Sequence, residues 1–201
     1  FTFLLNTIAD TASVYGPCAA AFGADKLHNS QLDAIGVLTG EKLNISGYDM
    51  WEKESLKTED NPTPAYNLTE KKVLTAYIGD KKLDNSSESF NNIKASGRLI
   101  GGCMDCLVNL LGTKYDKVKE FNSKYSDDGI WFLESCDLNV FSIRRAMWQM
   151  DNAGWFENVK AFVIGRPLVY GQEMMGLDQY SAIIKTAGRY NVPVIMDADL
   201  G

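Results

Sequence analysis

Short apolar segments alternate with periodic amphipathic segments along the second half of the chain. The apolar segments predict strands at 98–100, 130–133, 161–164 and 192–196. The periodic segments between them predict helices at 103–111, 138–152 and 177–189. Strands that alternate with helices are typical of a largely parallel sheet covered by helices. We therefore predict an α/β fold for this half of the chain.

The first half of the chain has a less regular pattern. It predicts helices at 1–11 and 30–38, and a strand-like stretch at 73–78. The surrounding segment is rich in Lys, Glu, Asn, Ser and Thr, which is typical of connecting loops between two lobes. We therefore predict a two-lobed chain with three parts. These are a remnant of an N-terminal α/β domain at 1–43, a linker with connecting loops at 44–92, and a C-terminal α/β domain at 93–201.

Glu134 is the first polar side chain after the apolar run 130–133, which itself follows a turn signal at Asp127-Asp128-Gly129. A buried carboxylate costs several kcal/mol unless it is paired, so an acid at this position indicates a partner. Ligands of open α/β sheets bind beyond the carboxyl ends of the strands. Glu134 is therefore a candidate catalytic residue. The alternative is a glutamate that points into solvent or caps the following helix.

Composition narrows the classes of partner. The chain has 201 residues and is 45% hydrophobic, which is sufficient for the core of a globular protein. Its net charge of −6 disfavours nucleic acid, because phosphate binding relies on clustered Lys and Arg. No apolar run approaches the roughly 20 residues that a membrane helix needs. We therefore expect neither nucleic acid nor a membrane as a partner.

Four cysteines without a regular spacing favour a reducing compartment, and we predict a cytoplasmic location. Cys103 and Cys106 form a C-x-x-C at the start of a predicted helix, where the helix dipole would lower a thiol pKa. This pair is a candidate redox site, or one cysteine simply faces the core. Zinc is disfavoured because His28, the only histidine, lies in a polar loop with no second ligand pair nearby. We predict no metal and no cofactor.

Two further groups of charged residues have alternative interpretations. Asp197 and Asp199 end the last predicted strand as D-x-D, which is typical of a cap of the next element or, less commonly, of a divalent cation site. Arg144 and Arg145 lie on the helix that follows Glu134. One of them is expected to reach the crevice beyond the strands, unless both lie on a solvated face. We take Arg145 as the candidate for substrate binding.

Three segments resemble a known family. They read GRLIGGCMDCLVNLLGT, WFLESCD and AGWFENVKAFVIGRP, and Tyr15-Gly16-Pro17 and the closing PVIMDADLG fit the same pattern. In their order and spacing they resemble the LD-carboxypeptidase family of serine peptidases. This family includes the murein tetrapeptide carboxypeptidases and the microcin C immunity peptidases. The resemblance implies an N-terminal α/β domain followed by a swivelling β/β/α-type domain.

The resemblance also implies a Ser-His-Glu triad assembled across two domains, in which Glu134 is the acid. Such an acid accepts a hydrogen bond from the imidazole and stabilises the imidazolium that forms as serine attacks. Gly102 and Cys103 fall where the family binds substrate. Cys103 stands at a position that is often Asn, which leaves the details of recognition open.

The nucleophile of this family lies in a Gly-Tyr-Ser-Asp type turn before a helix like 1–11, and its histidine follows a segment like 199–201. Neither residue is present in this chain, and His28 does not match the position of the base. We therefore interpret the chain as an internal fragment that is inactive by itself.

The implied substrate of the parent protein is a small murein peptide or a peptidyl or aminoacyl nucleotide. The alternatives are a non-catalytic peptide- or nucleotide-binding module and a thiol-dependent activity through Cys103 and Cys106. A homodimer is also implied. Trp148 and Trp155 are candidates for its interface, or they belong to the core.

Overall fold

The computed structural model describes residues 1–125 and 129–200, so Asp127 and Asp128 of the predicted turn lie outside the described residues. The chain divides into two compact units. The first, called the sheet unit, contains Phe1–Ser13 and Leu74–Gly201, and the second, the small unit, contains Val14–Val73. The boundaries predicted from the sequence, at 43/44 and 92/93, stay a prediction.

Strands, α-helices and short 3-10 helices all occur among the described residues. The strands are β1 (Met50–Trp51), β2 (Glu70–Lys71), β3 (Thr75–Ile78), β4 (Lys81–Lys82), β5 (Arg98–Cys103), β6 (Gly129–Glu134), β7 (Val159–Gly165), β8 (Glu173–Met174), β9 (Leu177–Asp178) and β10 (Pro193–Ala198). The α-helices are α1 (Thr2–Thr7), α2 (Asn29–Thr39), α3 (Glu88–Asn91), α4 (Met104–Leu107), α5 (Val118–Lys124), α6 (Val140–Asn152) and α7 (Gln179–Ala187). The 3-10 helices lie at Ala19–Gly23 and Gly188–Tyr190.

The sheet unit is built on a six-stranded sheet with the order β4-β3-β10-β7-β6-β5. The neighbouring strands β5, β6, β7 and β10 run parallel, whereas β3 pairs antiparallel with β10 and β4 antiparallel with β3. The predicted α/β class with a largely parallel sheet is therefore confirmed. Since the parallel strands run in the same direction, their carboxyl ends share one edge of the sheet.

The helices of the sheet unit form because their apolar residues recur at helical spacing. In α6 the apolar positions Val140, Ile143 and Met147 are buried and place one face against the core. Asn139 is the N-cap of this helix, and its side chain accepts a hydrogen bond from the backbone N–H of Ser142 at 2.9 Å. Helix α7 buries a similar face, and reciprocal hydrogen bonds between Asp178 and Ser181 cap its first turn.

Aromatic side chains fill the core beneath β6. Trp155 is fully buried, and its ring stacks on Phe3 and Trp131 with centroid separations of 5.3 and 5.8 Å. Its indole N–H donates to the carboxylate of Asp116 at 2.9 Å. Trp148, in contrast, is 55% exposed. Trp155 therefore belongs to the core, and Trp148 alone of the two is accessible to a partner.

The end of β5 differs from the sequence prediction. A helix was predicted from 103 to 111, but the strand continues to Cys103 and only Met104–Leu107 is α-helical. Gly101 makes this possible because its φ is +150° and a Cβ at this position would lie 1.7 Å from the carbonyl oxygen of Phe132. Without a side chain, the backbone of β5 approaches β6 closely enough to extend the pairing.

The small unit contains α2, the antiparallel pair β1 and β2, and a network around Asp33. The carboxylate of Asp33 accepts a hydrogen bond from the hydroxyl of Tyr48 at 2.6 Å and forms an ion pair with Lys42. His28 caps α2, since its ring nitrogen accepts a hydrogen bond from the backbone N–H of Ser30 at 3.2 Å. The histidine that was predicted to lie in a polar loop is therefore the N-cap of a helix.

The helices of the chain are short or amphipathic. In the ranges 1–125 and 129–200, no helix is long and apolar enough to cross a bilayer.

Candidate active site

Glu134 is the last residue of β6 and is only 8% exposed. Both alternatives for this residue are wrong, because the side chain does not point into solvent and the helix that follows is capped by Asn139. Gly165, at the end of β7, has no side chain and therefore leaves room for two other segments of the same chain, at Glu134 and at Leu200. A Cβ at Gly165 would lie 3.0 Å from Cβ of Glu134 and 2.8 Å from the carbonyl oxygen of Leu200. The chain that leaves β10 therefore returns close to Glu134.

Cys103 lies opposite Glu134 in the register of β5 and β6. Burial raises the pKa of the Cys103 thiol to about 12, and the negative charge of Glu134 contributes to the same shift. The thiol also donates to the carboxylate of Asp105 at 3.5 Å. A neutral thiol is a weak nucleophile, so this environment disfavours the thiol-dependent activity considered for Cys103 and Cys106. Cys106 is exposed, so it does not face the core.

Asp105 holds the loop that follows Glu134. Its carboxylate accepts hydrogen bonds from the backbone N–H groups of Cys136 and Asp137 at 3.1 and 2.7 Å. Burial acts to raise the pKa of Asp105, but these two donors, together with the Cys103 thiol and the backbone N–H of Asp105 itself, leave the pKa below its ordinary value. The ionised side chain therefore fixes the first residues beyond β6.

Arg166 fixes a second segment at the same edge of the sheet through a hydrogen bond and an ion pair. Its guanidinium donates to the carbonyl oxygen of Asp197 at 2.5 Å and forms an ion pair with the carboxylate of Asp199. The side chains of this pair are only 12% and 19% exposed. The two bonds hold residues 197–200 beside Gly165 and thus beside Glu134.

Asp197 is buried and has a left-handed backbone with φ of +63°, where β10 changes register against β7. Its two carboxylate oxygens accept hydrogen bonds from the side chains of Gln179 at 3.2 Å and Tyr180 at 3.1 Å. Burial raises the pKa of Tyr180, and the interactions with Tyr170 and Asp197 raise it further. The D-x-D pair is therefore engaged with side chains of its own unit, and neither acid caps a helix among the residues described.

The remaining candidates lie at different positions relative to this edge. Gly102 lies buried in β5 next to Cys103. Arg145 lies exposed on α6 and donates to the hydroxyl of Ser142 on the same helix at 2.8 Å. Arg144 donates to Thr186 on α7. The role of Gly102, Cys103 and Arg145 in substrate binding stays a prediction.

Sequence reasoning missed two residues of this site, Asp105 and Arg166. Only Gly165 separates Arg166 from the predicted apolar strand 161–164. The argument applied to Glu134, that a charged residue at a strand end needs a partner, would have found it. Asp105 has no comparable signal, because it lies within a predicted helix.

A groove of about 570 Å³ lies at the end of the sheet unit opposite to Glu134. It is bordered by Gly79, in the turn after β3, and by Lys185 and Arg189 near the end of α7. Because Ile78 pairs with Pro193, the first residue of β10, this groove lies at the amino end of the parallel strands. Ligands of such sheets bind at the carboxyl ends, so the groove is not the candidate site.

The sheet unit is thus an α/β domain with a largely parallel sheet and a buried acid at the end of a central strand. Residues 96–201, more than half of the chain, match the family described as the LD-carboxypeptidase C-terminal domain. The chain therefore belongs to the LD-carboxypeptidase family. No curated protein matches the sequence.

Solved structures show the same fold. MccF in complex with glutamyl sulfamoyl guanosine is 16% identical with a TM-score of 0.62, over 92% of this chain and 53% of that one. The microcin C7 self immunity protein MccF in complex with aspartyl sulfamoyl adenosine is 16% identical with a TM-score of 0.61 and the same coverage. An MccF-like protein from Streptococcus pneumoniae in complex with AMP is 14% identical with a TM-score of 0.55, over 87% and 50%. The chain spans about half the length of these structures.

Proposed function

We propose that Glu134 is the acid of a Ser-His-Glu triad in a serine-type carboxypeptidase of which this chain is a part. The observation that carries the proposal is a carboxylate, 8% exposed, at the carboxyl end of a central parallel strand of an LD-carboxypeptidase domain. The serine and the histidine of this triad are proposed to come from sequence outside these 201 residues. His28 does not replace the base in this proposal, because it caps α2 in the small unit.

In the proposed reaction the serine hydroxyl attacks the carbonyl of an amide and passes its proton to the histidine. The C–N bond then breaks, and the histidine returns the proton to the leaving amine. Water, activated by the same histidine, hydrolyses the acyl-enzyme and releases the serine. Glu134 accepts a hydrogen bond from imidazole Nδ1–H throughout. Its negative charge fixes the tautomer and stabilises the imidazolium.

The proposed substrate is a small peptide conjugate with a scissile amide near its C-terminus. The bond that is cleaved is either the L,D-bond of a murein tetrapeptide or the acyl linkage of a peptidyl or aminoacyl nucleotide. Support for the nucleotide class comes from fold relatives that were solved with aminoacyl sulfamoyl nucleosides and with AMP. Gly102, Cys103 and Arg145 are proposed to contact this substrate. Dimerisation and a cytoplasmic location stay predictions.

The experiment places Glu134→Gln in the whole protein, which in this proposal supplies the serine and the histidine, and compares it with the unsubstituted whole protein on both classes of substrate. Loss of the triad acid is expected to lower kcat by about 10³- to 10⁴-fold with little change in KM. Asp137→Asn is the matched control, because Asp137 is an exposed acid a few residues further along the chain. An unchanged rate for Glu134→Gln would remove Glu134 from the triad. Calorimetric binding of either substrate to the unsubstituted whole protein without turnover would instead favour the non-catalytic module.

A further inference from the structure

Ser135, the residue after Glu134, has a buried hydroxyl. The residue is 4% exposed, and its Oγ has no hydrogen-bond partner among residues 1–125 and 129–200. A buried hydroxyl loses its bonds to bulk water on folding, and the resulting cost is large unless another polar group replaces them. The surroundings of Ser135 should therefore provide such a group.

A small cavity borders Ser135. It has a volume of about 10 Å³, which matches the space that the centre of one water molecule occupies. Its other walls include Asp197, Gln179 and aliphatic side chains such as Ile143 and Ile183. The cavity thus combines a buried hydroxyl and a buried carboxylate within a largely apolar wall. A purely apolar cavity of this size would stay dry, but one with several polar partners holds water.

Asp197 has the acceptor capacity that such a water needs. Each of its carboxylate oxygens accepts one bond, from Gln179 and from Tyr180 respectively. An ionised carboxylate offers about four lone-pair sites, so the side chain can accept a further hydrogen bond. Ser135 supplies an O–H donor from another wall of the cavity.

We propose that this cavity is a binding site for one internal water molecule that bridges Ser135 and Asp197. The water accepts a hydrogen bond from the hydroxyl of Ser135 and donates one of its own to the carboxylate of Asp197. Ser135 lies directly after β6 and Asp197 lies where β10 changes register, so the bridge joins two strand ends on either side of Gly165. The proposal stands on burial and cavity geometry and does not depend on the carboxypeptidase reaction.

The sign of the stability change in Ser135→Ala tests the proposal. If the hydroxyl bonds to an internal water, its removal deprives that water of a partner, and the urea midpoint is expected to fall. If the hydroxyl has no partner, its removal takes away an unsatisfied polar group, and the midpoint should rise. Ser123→Ala, at an exposed position of α5, is the control and is expected to shift the midpoint less. A raised midpoint for Ser135→Ala overturns the proposal.

A crystal structure of the unmodified chain supplies a second test that does not depend on a variant. The expected result is one ordered water within hydrogen-bond distance of both Ser135 Oγ and the carboxylate of Asp197. A cavity without density overturns the proposal. So does density that disappears when sodium and potassium are replaced by choline, because the occupant would then be a monovalent cation.

Discussion

Cys103 and Glu134 are direct partners in the parallel register of β5 and β6, so a thiol and a carboxylate share the edge of the sheet where the candidate site lies. Burial and the charge of Glu134 together raise the pKa of the thiol to about 12. Cys103 is therefore neutral at physiological pH and can donate a hydrogen bond. A thiolate could not donate in this way, so the raised pKa preserves the donor that Cys103 uses towards Asp105.

The first prediction concerns the reactivity of this thiol. In a variant that keeps Cys103 as the only cysteine, we expect slow modification by iodoacetamide at a pH of about 8, because the thiolate is the reactive species. Glu134→Gln removes the neighbouring charge, so the pKa of Cys103 should fall and the modification rate should rise. Glu120→Gln, an exposed acid on α5, is the control. Equal rates in the Glu134 variant and its parent would show that the carboxylate does not act on the thiol.

The second prediction concerns Asp105 and pH. Its folded pKa lies below the ordinary value of about 3.9, because its hydrogen bonds, chiefly those from Asp137 and Cys136, together outweigh the effect of burial. The stabilisation by Asp105 is therefore complete above a pH of about 4 and is lost as the pH falls through the lowered folded pKa. At neutral pH, Asp105→Ala is expected to cost about 1.5 kcal/mol in urea unfolding.

The same measurement at low pH provides the check. The difference between Asp105→Ala and the unmodified chain should shrink as the pH falls from about 4 towards about 2, since protonation removes the charge from the acceptor. A difference that stays constant over this range would mean that the carboxylate contributes through packing and not through its charge.

The position of Glu134 could be predicted from the sequence because the relevant signals are local. An apolar run of strand length followed by one acid indicates a buried strand end, and β6 ends at Glu134 as this pattern requires. The helix 138–152 was also predictable, since its apolar spacing and the cap at Asn139 lie in adjacent residues. In both cases the information lies within a single element.

Other features could not be predicted because they depend on residues far apart in the chain. The bond between Arg166 and Asp199 joins positions 33 residues apart. The left-handed backbone of Asp197 accompanies a register change between β7 and β10, which no local pattern encodes. Helix α5 was missed for a different reason. It has only seven residues and a short apolar face, which is too little periodicity to identify a helix.

The third prediction concerns Gly101. Replacement by alanine would place Cβ 1.7 Å from the carbonyl oxygen of Phe132, which the paired strands cannot accommodate without separating. We expect Gly101→Ala to destabilise the chain by about 4 kcal/mol or more, at the upper end of single substitutions. Gly112→Ala is the matched control. Its φ of +70° is also left-handed, but no atom lies within 4 Å of the added Cβ.

The control separates the backbone strain of a residue at positive φ from the clash between the added Cβ and Phe132. Gly112→Ala should cost about 1 to 2 kcal/mol from backbone strain alone, and the excess for Gly101→Ala then measures the close approach of β5 and β6. Both values come from urea unfolding followed by tryptophan fluorescence. Similar costs for the two variants would show that the strands adjust and that the extension of β5 to Cys103 does not require glycine.

The fourth prediction concerns Arg166, which holds the segment 197–200 through the carbonyl of Asp197 and the carboxylate of Asp199. Arg166→Met removes a cation from a largely buried pair, and we expect a loss of about 3 to 5 kcal/mol. Arg166→Lys should recover only part of it, because an ammonium is a point charge and cannot reproduce the planar fork that reaches both oxygens.

An exposed ion pair of the same unit serves as the comparison for Arg166. Lys117 and Glu120 are 43% and 62% exposed where they pair, so Lys117→Met should cost only about 0 to 1 kcal/mol. If Arg166→Met and Lys117→Met cost the same, the pair at Asp199 contributes no more than a surface contact. If Arg166→Met costs several times more and Asp199→Asn adds little to it, the two side chains act as one unit. The position of residues 197–200 beside Glu134 then depends on a guanidinium that follows β7.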